Sequence, residues 1–169
     1  LERRSPSFWR DAGFAPGQRI LDIGCGPGFA AIDMAELLGP ATRITGVDAA
    51  APYLESLRTD AAARGVGAQI ETLQQDVQEL DLPENAFDNA YARWVFCFLE
   101  RPEAVVEAVQ RTLKPGGALA IQDYYNYLAV AVFPRHPAID RIFQATDASW
   151  RERGGDPDIG ARLPGMLRA

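Results

Sequence analysis

Short apolar runs alternate along this chain with longer segments in which apolar residues recur every three or four positions. "RILDIG" (residues 19–24) is almost continuously apolar and predicts a buried strand. "FAAIDMAELLG" (29–39) has helical spacing, and Gly39 and Pro40 stop it. "RITGVD" (43–48) predicts a second strand, and "APYLESLRTDAAARG" (51–65) an amphipathic helix closed by Gly65. "QIETLQQD" (69–76) alternates as a third strand, and "FDNAYARWVF" (87–96) begins as a fourth. "PEAVVEAVQRTLKPGG" (102–117) predicts a helix with proline in its first turn and a Pro-Gly-Gly stop. "ALAIQDY" (118–124) predicts a fifth strand. The last third is expected to be helical over 136–153 and then to loop through "GGDPDIG".

Strands alternating with helices imply a parallel sheet covered on both faces, an α/β, doubly wound architecture. The chain has 169 residues, 47% of them hydrophobic, which suffices for one core and one domain. It contains no internal repeat.

Charge narrows the partners. Twenty-three acids against 17 bases give a net charge of −6. The basic residues form no stripe: Arg3–Arg4 and Arg151–Arg153 are short and diluted by acids. A nucleic-acid partner is therefore not expected. "YLAVAVF" (127–133) is too short to span a bilayer, so no membrane partner is expected either. Cys25 and Cys97 lie in apolar or glycine-rich stretches and read as reduced thiols of a cytoplasmic protein. The chain opens on Leu1, so its N-terminus is read as processed or cut.

The chemistry concentrates at "LDIGCGPGF" (21–29), where a buried strand ends in an acid and three alternating glycines follow. In a doubly wound sheet, ligands bind beyond the carboxyl ends of the strands. Gly24, Gly26 and Gly28 clear side chains from such a turn, so a ligand can lie against the backbone. Two details sort the ligands. The dinucleotide fingerprint requires glycine where Phe29 stands. Asp22 beside the loop would repel a pyrophosphate but suits a cationic amine or sulfonium. No Lys-Ser/Thr follows the glycines, which excludes a Walker loop.

"LDIGCGPG" resembles the first motif of class I S-adenosylmethionine-dependent methyltransferases, in particular the type 11-like members with small-molecule acceptors. Three more stretches agree in order and spacing: "GVD" (46–48), "QDV" (75–77) and "LKPGGALAIQD" (113–123). The resemblance covers residues 17–123 and implies a Rossmann-like fold with S-adenosylmethionine as cofactor and S-adenosylhomocysteine as product. It places Asp22, Gly24, Cys25, Gly26 and Gly28 around the cofactor. It puts Asp48 on both ribose hydroxyls, Ala49 under the adenine, Asp76 on the adenine amine, and the Val77 N–H on the ring. Taken singly, Asp48 and Asp76 also fit ordinary strand-end or turn positions. Arg93 follows the fourth strand, either paired with the cofactor carboxylate or structural; both readings stay open here.

The resemblance assigns no obligatory catalytic residue and no metal. "ARWVF" (92–96) stands where amino-methylating enzymes carry Asn/Asp-Pro-Pro-aromatic, which points to a small-molecule acceptor. Phe8, Trp9, Tyr124, Tyr125 and Tyr127 are expected near the pocket, each as an acceptor contact or as packing. His136 is the only histidine, a candidate base or a loop residue.

The chain departs from the family after Asp123, where two closing strands are expected and none is seen. The missing part is read as a truncation, and the exposed fifth strand as the edge of a possible homodimer. Residues 1–124 are read as the cofactor-binding core, and 125–169 as a helical cap or substrate-side segment of the same domain. The resulting expectation is a methyltransferase of a small molecule. The alternative is a non-catalytic cofactor-binding or partner subunit.

Overall fold

A computed structural model of the chain describes residues 5–168; Leu1, the Arg3–Arg4 pair and Ala169 lie outside them. After helix α1 (Ser5–Asp11), strands and helices alternate: β1 (Arg19–Ile23), α2 (Phe29–Leu38), β2 (Arg43–Asp48), α3 (Ala51–Ala63), β3 (Ile70–Gln74), β4 (Phe87–Arg93), α4 (Pro102–Thr112) and β5 (Leu113–Gln122). Helices α5 (Pro137–Glu152) and α6 (Leu163–Met166) follow. The five strands form one sheet in the order β3-β2-β1-β4-β5, every pairing parallel. The order reverses between β1 and β4, so a crevice opens beyond the carboxyl ends of these two strands.

The near-continuous apolar run of β1 follows from its place at the centre, where both faces are covered. Ile20 joins a core with Ala31 and Met34 of α2, Leu54 and Leu57 of α3, and Trp9 of α1. Leu21 and Ile23 point the other way, into a core with Val47, Val105 and Val109 of α4, Ile159 and Leu163. This alternation is the period-2 geometry of a strand between two layers. Residues 159–166 thus complete the α4 layer. Trp9 is buried against Tyr91, their rings 5.7 Å apart and nearly perpendicular.

One boundary differs from the sequence reading. The helix expected to reach Gly117 stops at Thr112, and β5 begins at Leu113, opposite Phe87. Pro115 disfavours a helical Lys114, and Lys114 instead pairs with Asp88 at 2.6 Å. Pro115-Gly116-Gly117 forms an irregularity inside β5, with the register shifting between Phe87 and Asn89. Gly116 sits at φ +84°. A Cβ at Gly117 would lie 2.6 Å from the Asp88 carbonyl oxygen. The glycines therefore serve a bulge rather than a helix stop.

Among the described residues no strand pairs with the outer edge of β5. The chain instead turns through Tyr127–Ala129 into α5, capped by His136, whose Nδ1 accepts the Ala138 N–H at 3.1 Å. None of the described helices is long and apolar enough to cross a membrane.

Candidate functional site

The turn from β1 to α2 is built from left-handed glycines, but the three serve different ends. Gly24 (φ +59°) leaves room for Val95, whose Cγ2 lies 2.5 Å from where a Cβ would be. Gly28 (φ +86°) opens α2, and Leu57 fills the space of its missing side chain. Only Gly26 (φ +53°) has nothing within 4 Å of a built Cβ. The loop is pinned to β2: Cys25 N–H donates to the Val47 carbonyl at 3.0 Å, and Gly26 N–H to Asp48 Oδ2 at 2.8 Å. Asp48 Oδ1 also accepts the Ala50 N–H at 2.9 Å. A carboxylate oxygen can accept twice, so both oxygens keep acceptor capacity.

These residues border a cavity of about 540 Å³ at the carboxyl end of the sheet. Of the residues singled out from the sequence, it brings together Asp22, Gly24, Cys25, Gly26, Asp48, Ala49, Asp76, Val77 and Arg93. Gly28 stands apart from the lining and acts through the Leu57 packing. Asp76 caps the short turn Val77–Glu79, its Oδ1 accepting the Gln78 N–H at 2.9 Å. Gln78 in turn accepts the N–H groups of Glu100 and Arg101, tying this turn to the Leu99 side of the cavity.

Asp22 is the outlier of the site. It is 2% exposed, and its Oδ2 is buried with no hydrogen-bond partner among the described residues. Burial pushes its carboxyl from the ordinary 3.8 up to about 7, against the opposing pull of Arg93 and of the Ala31 N–H; the charge of Asp48 adds to the rise. Burial, then the charges of Asp22 and Asp48, push the Cys25 thiol upward. Cys25 is thus a neutral wall residue, not a nucleophile.

The wall on the β4 and β5 side is aromatic, and sequence reasoning found only part of it. Trp94, Phe98 and Tyr124 line it, with Phe29 and Tyr53 on the opposite rim. Asp123 shapes this wall: its Oδ2 accepts from the N–H groups of Val95 (3.1 Å) and Cys97 (3.3 Å), and its Oδ1 from that of Tyr124. Of the five aromatics expected near the pocket, Tyr124 alone lines it. Phe8 and Trp9 pack on Tyr91, Tyr127 meets Tyr124 edge to face, and Tyr125 lies outside the lining. His136 is likewise outside the lining, engaged as the cap of α5.

A sequence profile described as a methyltransferase domain matches residues 21–121. The chain belongs to the methyltransferase domain family. Within this family it is 32% identical over 113 residues to the ubiquinone/menaquinone biosynthesis C-methyltransferase UbiE of Pseudomonas putida, covering 67% of this chain and 44% of that one. It is 30% identical over 112 residues to the sterol 24-C-methyltransferase of Yarrowia lipolytica, covering 66% and 29%. The chain thus spans less than half the length of these curated relatives. Among solved structures it resembles the [4+2]-cyclase SpnF, with a TM-score of 0.65, 29% identity, and 70% of this chain and 43% of that one covered. A SAM-dependent methyltransferase from Aquifex aeolicus shares the fold, with a TM-score of 0.68, 21% identity, and 81% and 71% covered.

One consequence of this methyltransferase-domain geometry concerns Asp48. Asp48→Ala is expected to weaken S-adenosylhomocysteine binding at least tenfold, since a hydrogen bond to a charged group contributes about 1.5–3 kcal/mol. Calorimetry on the folded variant checks this. Unchanged affinity would leave Asp48 only its ties to Gly26 and Ala50.

Proposed function

We propose that this chain binds S-adenosylmethionine in the cavity beyond β1 and β2 and transfers its methyl group to a small molecule. The observation that carries the proposal is the buried Asp22 Oδ2 on the cavity lining, without a hydrogen-bond partner among the described residues. A buried ionised carboxylate is costly unless a cation pairs with it. S-adenosylmethionine carries both an ammonium and a sulfonium. Asp48 remains open to vicinal hydroxyls, Ala49 and Val77 give an apolar seat for a base, and Asp76 offers an acceptor at its edge.

When bound, the cofactor supplies a methyl group on a sulfonium, a leaving group that needs no acid. The residues of this chain then have three tasks. Asp22 holds positive charge in a site it shares with Arg93. The Gly26 loop, held by Asp48, presents bare backbone. The aromatic wall excludes water from the reacting atoms. Burial raises the Tyr124 hydroxyl above its ordinary value, so it stays protonated near neutrality and serves as a donor, not a base.

Residues 125–168, which reach the wall through Tyr127 and Trp150, are read as the substrate-side cap of the same domain. Two free, buried cysteines support a reducing, cytoplasmic setting. The edge of β5, which no described strand covers, favours pairing of two copies, and light scattering is expected to give twice the monomer mass. A strict monomer would remove that reading.

Transfer of label from S-[methyl-³H]adenosylmethionine over a panel of small acceptors tests the function. A labelled product is expected. SpnF, named as a cyclase, has the same fold, so turnover is the deciding readout rather than cofactor binding. Binding with no transfer to any acceptor would favour the non-catalytic alternative.

A further inference from the structure

The cavity's three acids lie on one side of the point where the strand order reverses, with Phe29 and Tyr53, and an aromatic wall lies on the other. The acids, Asp22, Asp48 and Asp76, come from the ends of β1, β2 and β3. Trp94, Phe98 and Tyr124 come from the ends of β4 and β5. If the acidic side holds the cofactor, as proposed above, the aromatic wall faces the acceptor.

Trp94 is the unusual residue of that wall. It stands at φ +56°, a conformation that bulky side chains rarely adopt. Among the described residues, the other two non-glycine positions at positive φ are asparagines, Asn85 and Asn126, which tolerate it readily. The surroundings hold Trp94 in this strained state. Its N–H donates to the Gln122 carbonyl at 2.8 Å, and Asp123 clamps the N–H groups of Val95 and Cys97. The strain does not serve burial, because the side chain remains 53% exposed. Backbone strain at a cavity rim, spent on a ring left half exposed to the cavity, marks a functional position.

The placement of the ring says what it meets. Trp94 and Tyr124 lie within 16° of parallel, with centroids 6.0 Å apart, and both line the cavity. A planar guest gains offset-stacked contact on such a wall, and a puckered ring of the same size does not. The wall is stiff from behind, since Trp150 of α5 packs on both Tyr124 (5.4 Å) and Phe98 (5.0 Å). The acid at its base, Asp123, is turned toward three backbone donors. The one charge against the indole is positive: Arg93 Cζ lies 5.2 Å from the ring centroid. A guest with a hydroxyl or anionic edge is favoured there over a cation.

We infer that Trp94 is a specificity-determining residue, a platform that selects a flat ring bearing a hydroxyl edge as the acceptor. The inference rests on the methyltransferase reading above. Its test compares 2-naphthol with its saturated counterpart, decahydro-2-naphthol, by calorimetry on the protein saturated with S-adenosylhomocysteine. The flat probe is expected to bind at least tenfold tighter. Trp94→Gly relieves the backbone strain while removing the ring, and should erase that preference. Trp94→Phe should retain most of it. Affinity for S-adenosylhomocysteine is measured in both variants, and its concentration is set so that the probes always meet the saturated site. Equal affinity for the two probes, or a preference that survives Trp94→Gly, overturns the inference. Failure of S-adenosylhomocysteine to bind overturns the methyltransferase reading instead, and the same probe pair on the free protein then decides the role of Trp94.

Discussion

Asp22→Asn is expected to make the protein more stable and to abolish its hold on S-adenosylmethionine. The carboxyl rises on folding from 3.8 to about 7, which corresponds to about 4 kcal/mol of destabilisation when the group is ionised. The sign follows from proton counting. Between pH 3.8 and about 7 the folded chain keeps a proton that the unfolded chain has lost, so the Asp22 contribution to stability falls as pH rises through that window. Above pH 7 the whole penalty is present. Asparagine keeps an acceptor for the Ala31 N–H and has no charge to bury. Denaturation at pH 8 should show a gain of the order of a few kcal/mol in Asp22→Asn, and a smaller gain at pH 5.

The ligand reverses the balance. Only the ionised carboxylate pairs with a cation, so wild-type affinity should fall about tenfold per pH unit below 7, levelling off above it. Asp22→Asn should lose this dependence together with most of the affinity. Calorimetric titrations at pH 5, 6, 7 and 8 check both points. A flat wild-type profile over that range would mean that Asp22 faces no cation. Stability given up for a charged site is a familiar trade at functional positions.

Gly26→Val is expected to eliminate binding for a different reason. The valine side chain would project where a built Cβ meets no protein atom within 4 Å, on the cavity lining. The position is also left-handed, and a β-branched residue there is strained by about 1–3 kcal/mol. Strain alone must therefore be separated from blockage. Gly65 provides the control: it has φ +73°, equally open surroundings, and a place at the end of α3 away from the cavity. Gly65→Val should lower the melting temperature comparably and leave S-adenosylhomocysteine affinity unchanged. If both variants bind alike, the glycine loop is a turn and not a ligand cradle.

The contrast between these glycines shows how far the sequence could be read. The alternation of buried strands and amphipathic helices was legible because each strand of a two-sided sheet is an apolar run between turn residues, as "RILDI" and "RITGVD" are. The acids of the site were legible because Asp22 and Asp48 sit at the ends of such runs, where the architecture gathers ligands. Local pattern could not divide the glycines into one whose Cβ position is empty and two that admit Val95 and Leu57, because those partners come from distant segments. The bulge at Pro115-Gly116-Gly117 was hidden for a similar reason. Pro-Gly-Gly ends a helix as readily as it interrupts a strand, and the pairing of Leu113 with Phe87 decides between them.

The aromatic wall was the least legible part. Trp94, Phe98 and Tyr124 are brought together by Asp123, whose three backbone contacts leave no periodic signature. Phe8 and Trp9 misled for the opposite reason: they precede the glycine loop in the chain, but α1 packs on the sheet below it. The one usable signal was "RW" at the end of β4, a bulky ring where a strand must turn beside the ligand crevice.

A cavity formed by Asp22, Gly26 and Asp48 for S-adenosylmethionine should separate that ligand's product from a dinucleotide. The most direct test titrates the chain with S-adenosylhomocysteine and, in parallel, with NAD at pH 7.5, following heat. One-to-one binding of S-adenosylhomocysteine with no measurable binding of NAD is the expected result. No binding of S-adenosylhomocysteine, or equal binding of NAD, would mean that the cavity is not shaped for S-adenosylmethionine.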